Sequence, residues 1–170
     1  MTSHLKTPVG AMDHLRGSLR APIILCEYGD FECSFCAKAY GELKVLEEDL
    51  GDKLCFAFRN FPLTNIHPYA LRASSFAEAA ATVGKFWEMH DMLFEHQHTL
   101  DDAHLVAFAR RLDLSEELIQ SALNGAFDTK IQSDFSGGVS SGVNGTPCLF
   151  INGERWNGPA TAAALLAAVG

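Results

Sequence analysis

The chain has 170 residues, of which 48% are hydrophobic and 20% are charged. This length and composition allow one sizeable hydrophobic core, which predicts a single globular domain over residues 1–170. The formal net charge of -8 argues against nucleic acid as a partner, because the average field of the protein repels phosphate backbones.

The amino end shows no apolar stretch of the kind found in a signal peptide, since residues 1–20 include Lys6, Asp13 and Arg16. The cytoplasm is therefore the expected compartment, with the periplasm as the alternative if a leader was removed. The most apolar run elsewhere, residues 160–169, is far shorter than the roughly 20 residues that span a bilayer, so no membrane contact is expected. Five cysteines without a secretion signal predict a working disulfide rather than a structural framework.

The first predicted elements form a βαβ unit. Residues 22–28 are short, β-branched and mostly apolar, as expected of a buried strand. After a break at Gly29 and Asp30, apolar side chains recur every three or four residues and stop at Gly51, which predicts an amphipathic helix of about four turns. The apolar run at residues 54–58 predicts a second buried strand.

The rest of the chain predicts a helical insertion followed by a hairpin and a final helix. Residues 67–133 are rich in Ala, Glu, Leu and His, and breaks near Gly84, Asp101 and Ser115 divide them into several helices, the last two residues being plausible N-caps. Runs at 148–151 and 155–156 flank an Asn-Gly pair, which indicates a β-hairpin, and residues 161–169 form an alanine-rich helix. This order predicts an α/β fold, a mixed sheet with helices on its faces.

The segment Cys33-Ser34-Phe35-Cys36 lies where a strand ends and a helix begins. Free backbone N–H groups and the helix dipole stabilise a thiolate there, so Cys33 is expected to have a depressed pKa and to be the exposed, attacking sulfur. Cys36 lies about one turn further on, where it can resolve a mixed disulfide or close a disulfide with Cys33. Two alternatives are half of a zinc site, for which no second ligand pair is present, and two small buried core residues.

Two further positions permit both a functional and a structural interpretation. Glu27 lies in an apolar strand six residues before Cys33, where burial raises the pKa of a carboxyl group. It either relays protons to Cys36 or is a paired glutamate without a chemical role. Pro147 opens a strand after Thr146, and this bond is either a cis peptide beside the sulfurs or an ordinary turn feature.

The residues from Glu27 to Cys36 resemble the DsbA-like branch of the thioredoxin superfamily. The similarity extends from about residue 22 to the end of the chain and includes segments that look like that branch's insertion, cis-proline loop and hairpin. These segments are Arg59 to Leu63, His67 with Pro68, Gly84 to Trp87, His90 with Asp91 and Leu93, Gly145 to Pro147, and Asn152 with Gly153.

The resemblance implies a thioredoxin fold with a helical insertion between the βαβ unit and the C-terminal β-hairpin plus helix. It also implies a nucleophilic Cys33, a resolving Cys36 and a buried proton-handling Glu27. A cis Pro147 after Thr146 would contact the substrate together with Phe35. Ser34 departs from the proline common at its position, which leaves the direction of electron flow open.

The remaining cysteines and histidines are expected to have structural roles. Cys26, Cys55 and Cys148 fall in apolar strands and are interpreted as inert buried thiols, although Cys148 follows Pro147 and could be a third reactive thiol. Histidines of the insertion are expected at exposed helix positions, and no carboxylate or cysteine completes a metal set with them. They are His90, His96, His98 and His104.

The sequence thus predicts a thiol:disulfide oxidoreductase that needs no bound cofactor beyond its own Cys33–Cys36 disulfide. Its partners would be protein or small-molecule thiols, with glutathione as one candidate co-substrate, and a redox partner that the sequence does not identify. Two alternatives stay open. One is a glutathione-dependent transferase or isomerase on the same fold, and the other is a redox-sensing or binding module without turnover.

Overall fold

A computed structural model describes residues 3–170. Within this range, the chain forms one mixed sheet of five strands in the order β1-β3-β2-β4-β5. The pair β2 and β3 is parallel and the other pairs are antiparallel, so β2 lies at the centre of the sheet. The strands are β1 (His14–Arg16), β2 (Ile23–Gly29), β3 (Leu54–Asn60), β4 (Cys148–Ile151) and β5 (Glu154–Arg155).

The predicted α/β class and βαβ unit are confirmed. Helix α1 (Ser34–Leu50) joins β2 to β3 and ends at Gly51, whose φ of 50° suits glycine. A short 3-10 turn, Gly51–Lys53, leads into β3. The edge strand β1 was not predicted, because three residues of mixed polarity give no periodic pattern.

The insertion contains five helices between β3 and β4 within the described residues. They are α2 (Ala70–Ala81), α3 (Phe86–Glu95), α4 (Asp102–Arg111), α5 (Glu116–Leu123) and α6 (Asp128–Ser140). The side chain of Asp101 accepts the His104 N–H and that of Ser115 accepts the Leu118 N–H, so both cap helices as predicted.

The insertion extends further than the predicted limit at residue 133. Gly137 and Gly138, which were expected to lie after the helices, are part of α6. Packing explains this difference, because a Cβ on Gly138 would lie 2.8 Å from the ring of Phe61. Glycine therefore allows a close approach of α6 to the end of β3 rather than ending the helix.

The carboxyl-terminal part matches its prediction. Strands β4 and β5 form a hairpin through Asn152 and Gly153, whose φ angles are 49° and 85°. Helix α7 (Ala162–Val169) follows, and the Thr161 side chain caps it by accepting the Ala164 N–H. No helix within residues 3–170 has both the length and the apolar character to cross a membrane.

The core divides by face of the sheet, because side chains of successive strand residues alternate. Leu25 and Phe56 pack with α1 and α7 on one face. Cys26 and Cys148 lie in a separate cluster with Tyr28 and Phe150. Cys33 and Cys36 belong to a third cluster, formed with the ring of Phe58 and residues of the insertion.

Candidate active site

The paired cysteines lie at the junction between β2 and α1. Cys33 is the N-cap residue of α1, with extended backbone, and its carbonyl accepts the Ala37 N–H at 3.1 Å. Cys36 lies in the first turn of the helix and is fully buried. Both are free thiols, as are the other three cysteines of the described chain. The strand-to-helix junction and the three-residue spacing thus place the two sulfurs together.

The two thiols have very different acidities. The pKa of Cys33 falls from 9.0 to about 5, mainly through a hydrogen bond with the Cys36 side chain. Thr146 and the backbone amides of Phe35 and Cys36 lower it further, whereas burial raises it. Burial and the same hydrogen bond raise the pKa of Cys36 well above its ordinary value. Near neutral pH the pair therefore holds one thiolate, on Cys33, and one thiol, on Cys36.

Cys33 is more enclosed than the sequence predicted, since only 4% of its surface is exposed. Its Sγ lies 3.6 Å from the carbonyl oxygen of Thr146. On another side, the Gln97 amide donates to the carbonyl oxygens of Phe31 at 3.0 Å and Cys33 at 2.8 Å. The loop before β4 and the turn after α3 therefore cover a residue that the local pattern predicted to be exposed.

Thr146 and Pro147 approach the cysteines from the start of β4. The peptide bond between them is cis. Cys148 pairs with Tyr28 near the end of β2, which brings the preceding proline loop to the edge of the sheet where α1 begins. Thr146 is thus a direct neighbour of the Cys33 sulfur, although the two residues are 113 positions apart in sequence.

Glu27 is buried in the central strand on the side of the reactive pair. Only 2% of it is exposed, and its Oε1 has no hydrogen-bond partner among the residues that the structure describes. Burial raises the pKa of Glu27 to about 8, and the charges of Cys33 and Glu47 contribute to the shift. The charge of Glu27 in turn raises the pKa of Cys36. The carboxyl group is therefore mainly protonated at neutral pH.

Asp30 is a site residue that the sequence did not single out. It directly precedes the active-site turn and is fully buried. Its backbone N–H donates to Cys36 Sγ at 3.5 Å, and its carbonyl accepts the Cys33 N–H at 3.1 Å. A carboxylate that is buried needs hydrogen-bond partners. The position of Asp30 directly after an apolar strand was therefore the one sequence feature that indicated a structural role.

Phe35 is the exposed member of the Cys33–Cys36 segment, with 64% of its surface accessible. The loop that precedes α2 carries two further exposed apolar side chains, Ile66 and Tyr69. This loop is tied to the active-site turn, because the Tyr69 N–H donates to the Glu32 carboxylate at 2.8 Å. Exposed apolar surface thus lies on both the helix start and the adjoining loop.

The other cysteines are buried, as predicted. Burial raises the pKa of Cys26 to about 12 and also raises the pKa of Cys55 and Cys148. Cys148 directly follows Pro147 in the chain, yet it packs with Cys26 and Tyr28 rather than in the cluster of Cys33 and Cys36. Its position beside the proline therefore does not place its side chain in the cluster of Cys33 and Cys36.

The expectation that the insertion histidines are exposed is wrong for His90. Only 2% of His90 is exposed, and its Nδ1 lies 2.8 Å from Asp91 Oδ1 among aromatic rings. Burial lowers the pKa of His90 to about 4, although Asp91 opposes the shift. Its place on the apolar face of α3 explains this burial. No group of His, Cys, Asp and Glu suited to a metal ion occurs in residues 3–170.

The mixed sheet, its helical insertion and the paired thiols at the start of α1 define a protein of the thioredoxin class. The chain belongs to the family described as Thioredoxin, which it matches over residues 10–170.

Several solved structures share the whole fold of this chain. BdbD from Bacillus subtilis superposes with a TM-score of 0.83 at 18% identity, covering 98% of this chain and 96% of BdbD. Wolbachia pipientis α-DsbA1 gives 0.82 at 21% identity, with 97% and 92% covered. MdbA, a thiol-disulfide oxidoreductase from Corynebacterium diphtheriae, gives 0.75 at 15% identity, with 99% and 93% covered. At these identities the similarity establishes the fold.

Relatives with higher sequence identity are much longer proteins. The chain is 43% identical over 160 residues to the Na(+)/H(+) antiporter NhaA 1 of Salinispora arenicola, covering 92% of this chain and 24% of that protein. It is 40% identical over 161 residues to the NhaA 1 antiporter of Mycolicibacterium vanbaalenii, with 92% and 26% covered. The chain thus spans about a quarter of the length of the curated relatives that it matches.

Proposed function

We propose that the protein is a thiol:disulfide oxidoreductase that exchanges disulfides with polypeptide substrates through Cys33 and Cys36. The observation that carries this proposal is the placement of two free thiols at the start of α1, with Cys33 as the N-cap residue beside Thr146 and Cys36 fully buried in the first turn. A thiolate on Cys33 at the start of α1 is a nucleophile near neutral pH, while the buried Cys36 stays protonated. Two inert buried thiols would not differ in this way.

In the oxidising direction, a substrate thiolate attacks Cys33 Sγ of the disulfide form, and Cys36 leaves as a thiolate that takes up a proton. A second substrate thiolate then attacks the substrate sulfur of the mixed disulfide and releases the Cys33 thiolate. The substrate loses two electrons as its disulfide forms, and the Cys33–Cys36 pair gains them. The reducing direction is the same sequence reversed.

Glu27 would supply and accept the Cys36 proton. Its pKa of about 8 keeps a proton available at neutral pH, and its buried position fits a relay that bulk water does not serve directly. Thr146 and Pro147 would contact the backbone of an extended substrate beside Cys33. Exposed Phe35, Ile66 and Tyr69 favour a polypeptide over glutathione, because these apolar side chains offer contact area to a chain.

The acidity of Cys33 also favours an oxidising pair. A stabilised thiolate lowers the free energy of the reduced form, so the potential is expected above the roughly -270 mV of thioredoxin. The surrounding thiol pool then sets the direction of net flow. In a reducing cytoplasm, a couple such as glutathione would return the Cys33–Cys36 disulfide to its dithiol form. In an oxidising compartment, the pair would instead donate disulfides to substrates.

The test is the reduction potential of the pair together with multiple-turnover reduction of insulin disulfides. The potential is measured in glutathione buffers with Cys26, Cys55 and Cys148 replaced by alanine, so that Cys33 and Cys36 alone respond. We expect turnover in the parent protein and its loss in Cys36→Ala. Turnover that survives in Cys36→Ala would favour glutathione-dependent transfer, which needs no resolving thiol.

A second candidate function is a redox-sensing module that acts with an ion antiporter. It is favoured by the 43% identity to a quarter of a Na(+)/H(+) antiporter. A sensor would cycle between thiol and disulfide without many turnovers on foreign substrates. A reversible Cys33–Cys36 disulfide without insulin turnover would therefore support the sensor over the enzyme.

A further inference from the structure

The Asp30 carboxylate joins the active-site turn to the loop that precedes α2. Its Oδ1 accepts the Glu32 N–H at 2.8 Å. Its Oδ2 accepts the Leu63 N–H at 2.8 Å and lies 2.8 Å from His67 Nδ1. Because a carboxylate only accepts hydrogen bonds, Nδ1 of His67 carries the proton in this pair. One buried group therefore fixes both segments.

His67 is the partly exposed member of this pair, with 21% of its side chain accessible and the Asp30 side chain fully buried. The titratable groups that act on it are Asp30, Cys33 and Glu32, all on the segment between β2 and α1. Burial lowers the pKa of His67, but the hydrogen bond and charge of Asp30, with the charges of Cys33 and Glu32, raise it above 6.5. The raised pKa favours the protonated form of the imidazole relative to a free histidine.

Two carboxyl side chains lie close to Cys33 in the chain. Asp30 and Glu32 both lie within three residues of Cys33, and two carboxylates at that position disfavour a third negative charge. An imidazolium bound to Asp30 adds a positive charge beside these carboxylates and therefore opposes their effect. The coupling is mutual, because the charge of Cys33 raises the pKa of His67, and a favourable interaction between two ionised groups stabilises both.

We propose that His67, held by Asp30, is a positioning residue that in its protonated form stabilises the Cys33 thiolate and couples the loop that precedes α2 to the redox state of the pair. The inference rests on the proposed exchange at Cys33. It adds a pH-dependent control, because the positive charge is present below the His67 pKa and disappears as the pH rises through it. No bond to His67 forms or breaks, and only its proton is exchanged with solvent.

The experiment has two readouts that do not depend on substrate turnover. The first is the pH titration of Cys33, followed by thiolate absorbance in reduced protein with Cys26, Cys55 and Cys148 replaced by alanine. In that background, His67→Asn keeps an N–H donor for Asp30 but removes the charge. We expect the apparent pKa of Cys33 to rise by about 0.5 to 1 unit, a value discounted for partial solvent screening.

The matched control is His104→Asn. His104 has the same kind of bond, with Nδ1 2.6 Å from Asp101 Oδ2, but this pair lies on the surface at the start of α4. We expect no shift of the Cys33 titration in that variant. A shift of equal size in both variants would indicate a general charge effect and overturn the assignment to His67.

The second readout uses the unaltered protein, so it tests the coupling between His67 and Cys33 even if His67→Asn does not fold. The imidazole of His67 is titrated by NMR in the reduced and in the disulfide forms. We expect a higher pKa in the reduced form, because only that form carries the Cys33 thiolate. Equal values in both forms would overturn the proposal, whereas a Cys33 that does not ionise below pH 7 would instead contradict the proposed function.

Discussion

At the scale of single residues, the site depends on a few positions where the side chain is restricted by close neighbours. Gly29 ends β2 directly before the active-site turn. A Cβ there would lie 2.4 Å from a ring carbon of Phe58 and 3.1 Å from Oε1 of Glu27. The lack of a side chain at Gly29 therefore allows a ring and a buried carboxyl group to pack beside the reactive pair.

We expect Gly29→Ala to destabilise the protein by about 1–3 kcal/mol, the usual cost of overpacking a filled core. Gly41 in α1 provides the contrast, since a Cβ there meets no atom within 4 Å. Gly41→Ala should stabilise the protein by about 0.5–1 kcal/mol, because alanine is the better helix former. Urea denaturation of both variants checks this pair, and equal effects would contradict the argument.

The acidities of the five cysteines lead to a labelling prediction. Cys33 should react first with iodoacetamide at pH 7, because it alone has a depressed pKa, while burial raises the pKa of Cys26, Cys55, Cys36 and Cys148. Mass spectrometry of the native reduced protein identifies the labelled peptide. Early labelling of Cys148 would show that it is a reactive third thiol.

A related test concerns substrate exchange. Mixed disulfides trapped on Cys36→Ser should keep the same pattern when Cys148→Ser is added, because Cys148 packs outside the cluster of Cys33 and Cys36. Nonreducing gels of the two variants give the comparison. A changed pattern would assign Cys148 a part in exchange.

At the scale of elements, the sequence predicts those that local patterns specify. The periodicity of α1, the caps at Asp101 and Ser115 and the Asn152-Gly153 turn are all local features, and each is found in the structure. Strand β1 and the last turns of α6 were missed because tertiary pairing and close packing decide them.

The same distinction explains what could be predicted of the site. Cys33 and Cys36 lie in one short segment whose strand-to-helix context indicates their chemistry. Thr146 came from resemblance, since 113 positions separate it from Cys33. Asp30, His67 and Gln97 act through contacts between distant segments, which a single sequence does not reveal.

The segment between α3 and α4 is predicted to hold the start of α1 in place through Gln97. Gln97→Ala removes the donor to the carbonyl oxygens of Phe31 and Cys33. We expect a loss of about 1 kcal/mol in unfolding free energy, with faster amide exchange at residues 33–37. The control is Gln132→Ala, whose amide donates to Ser136 Oγ at 3.2 Å on the exposed face of α6. The same exchange rates in both variants would exclude a specific role for Gln97.

At the scale of the whole molecule, two buried site groups make opposing contributions to stability. The pKa of Glu27 rises from 4.5 to about 8 on folding, so the folded state holds a proton that the unfolded chain releases, and stability falls as the pH rises across that range. The pKa of Cys33 falls from 9.0 to about 5, so the unfolded chain binds the extra proton and stability rises with pH between those values. In the reduced protein these two slopes oppose each other.

Formation of the disulfide should remove one of the two contributions. The oxidised protein has no Cys33 thiolate, but Glu27 stays buried, so its stability should fall by up to about 1.4 kcal/mol per pH unit between pH 5 and 8. The reduced protein should change less, and the stability of the reduced form minus that of the oxidised form should increase with pH. Urea denaturation of both forms at pH 5, 6.5 and 8 measures this difference. Glu27→Gln should flatten the oxidised curve, whereas the exposed Glu48→Gln should leave it unchanged. A reduced-minus-oxidised difference that is constant with pH would contradict the lowered pKa of Cys33, on which the proposed exchange depends.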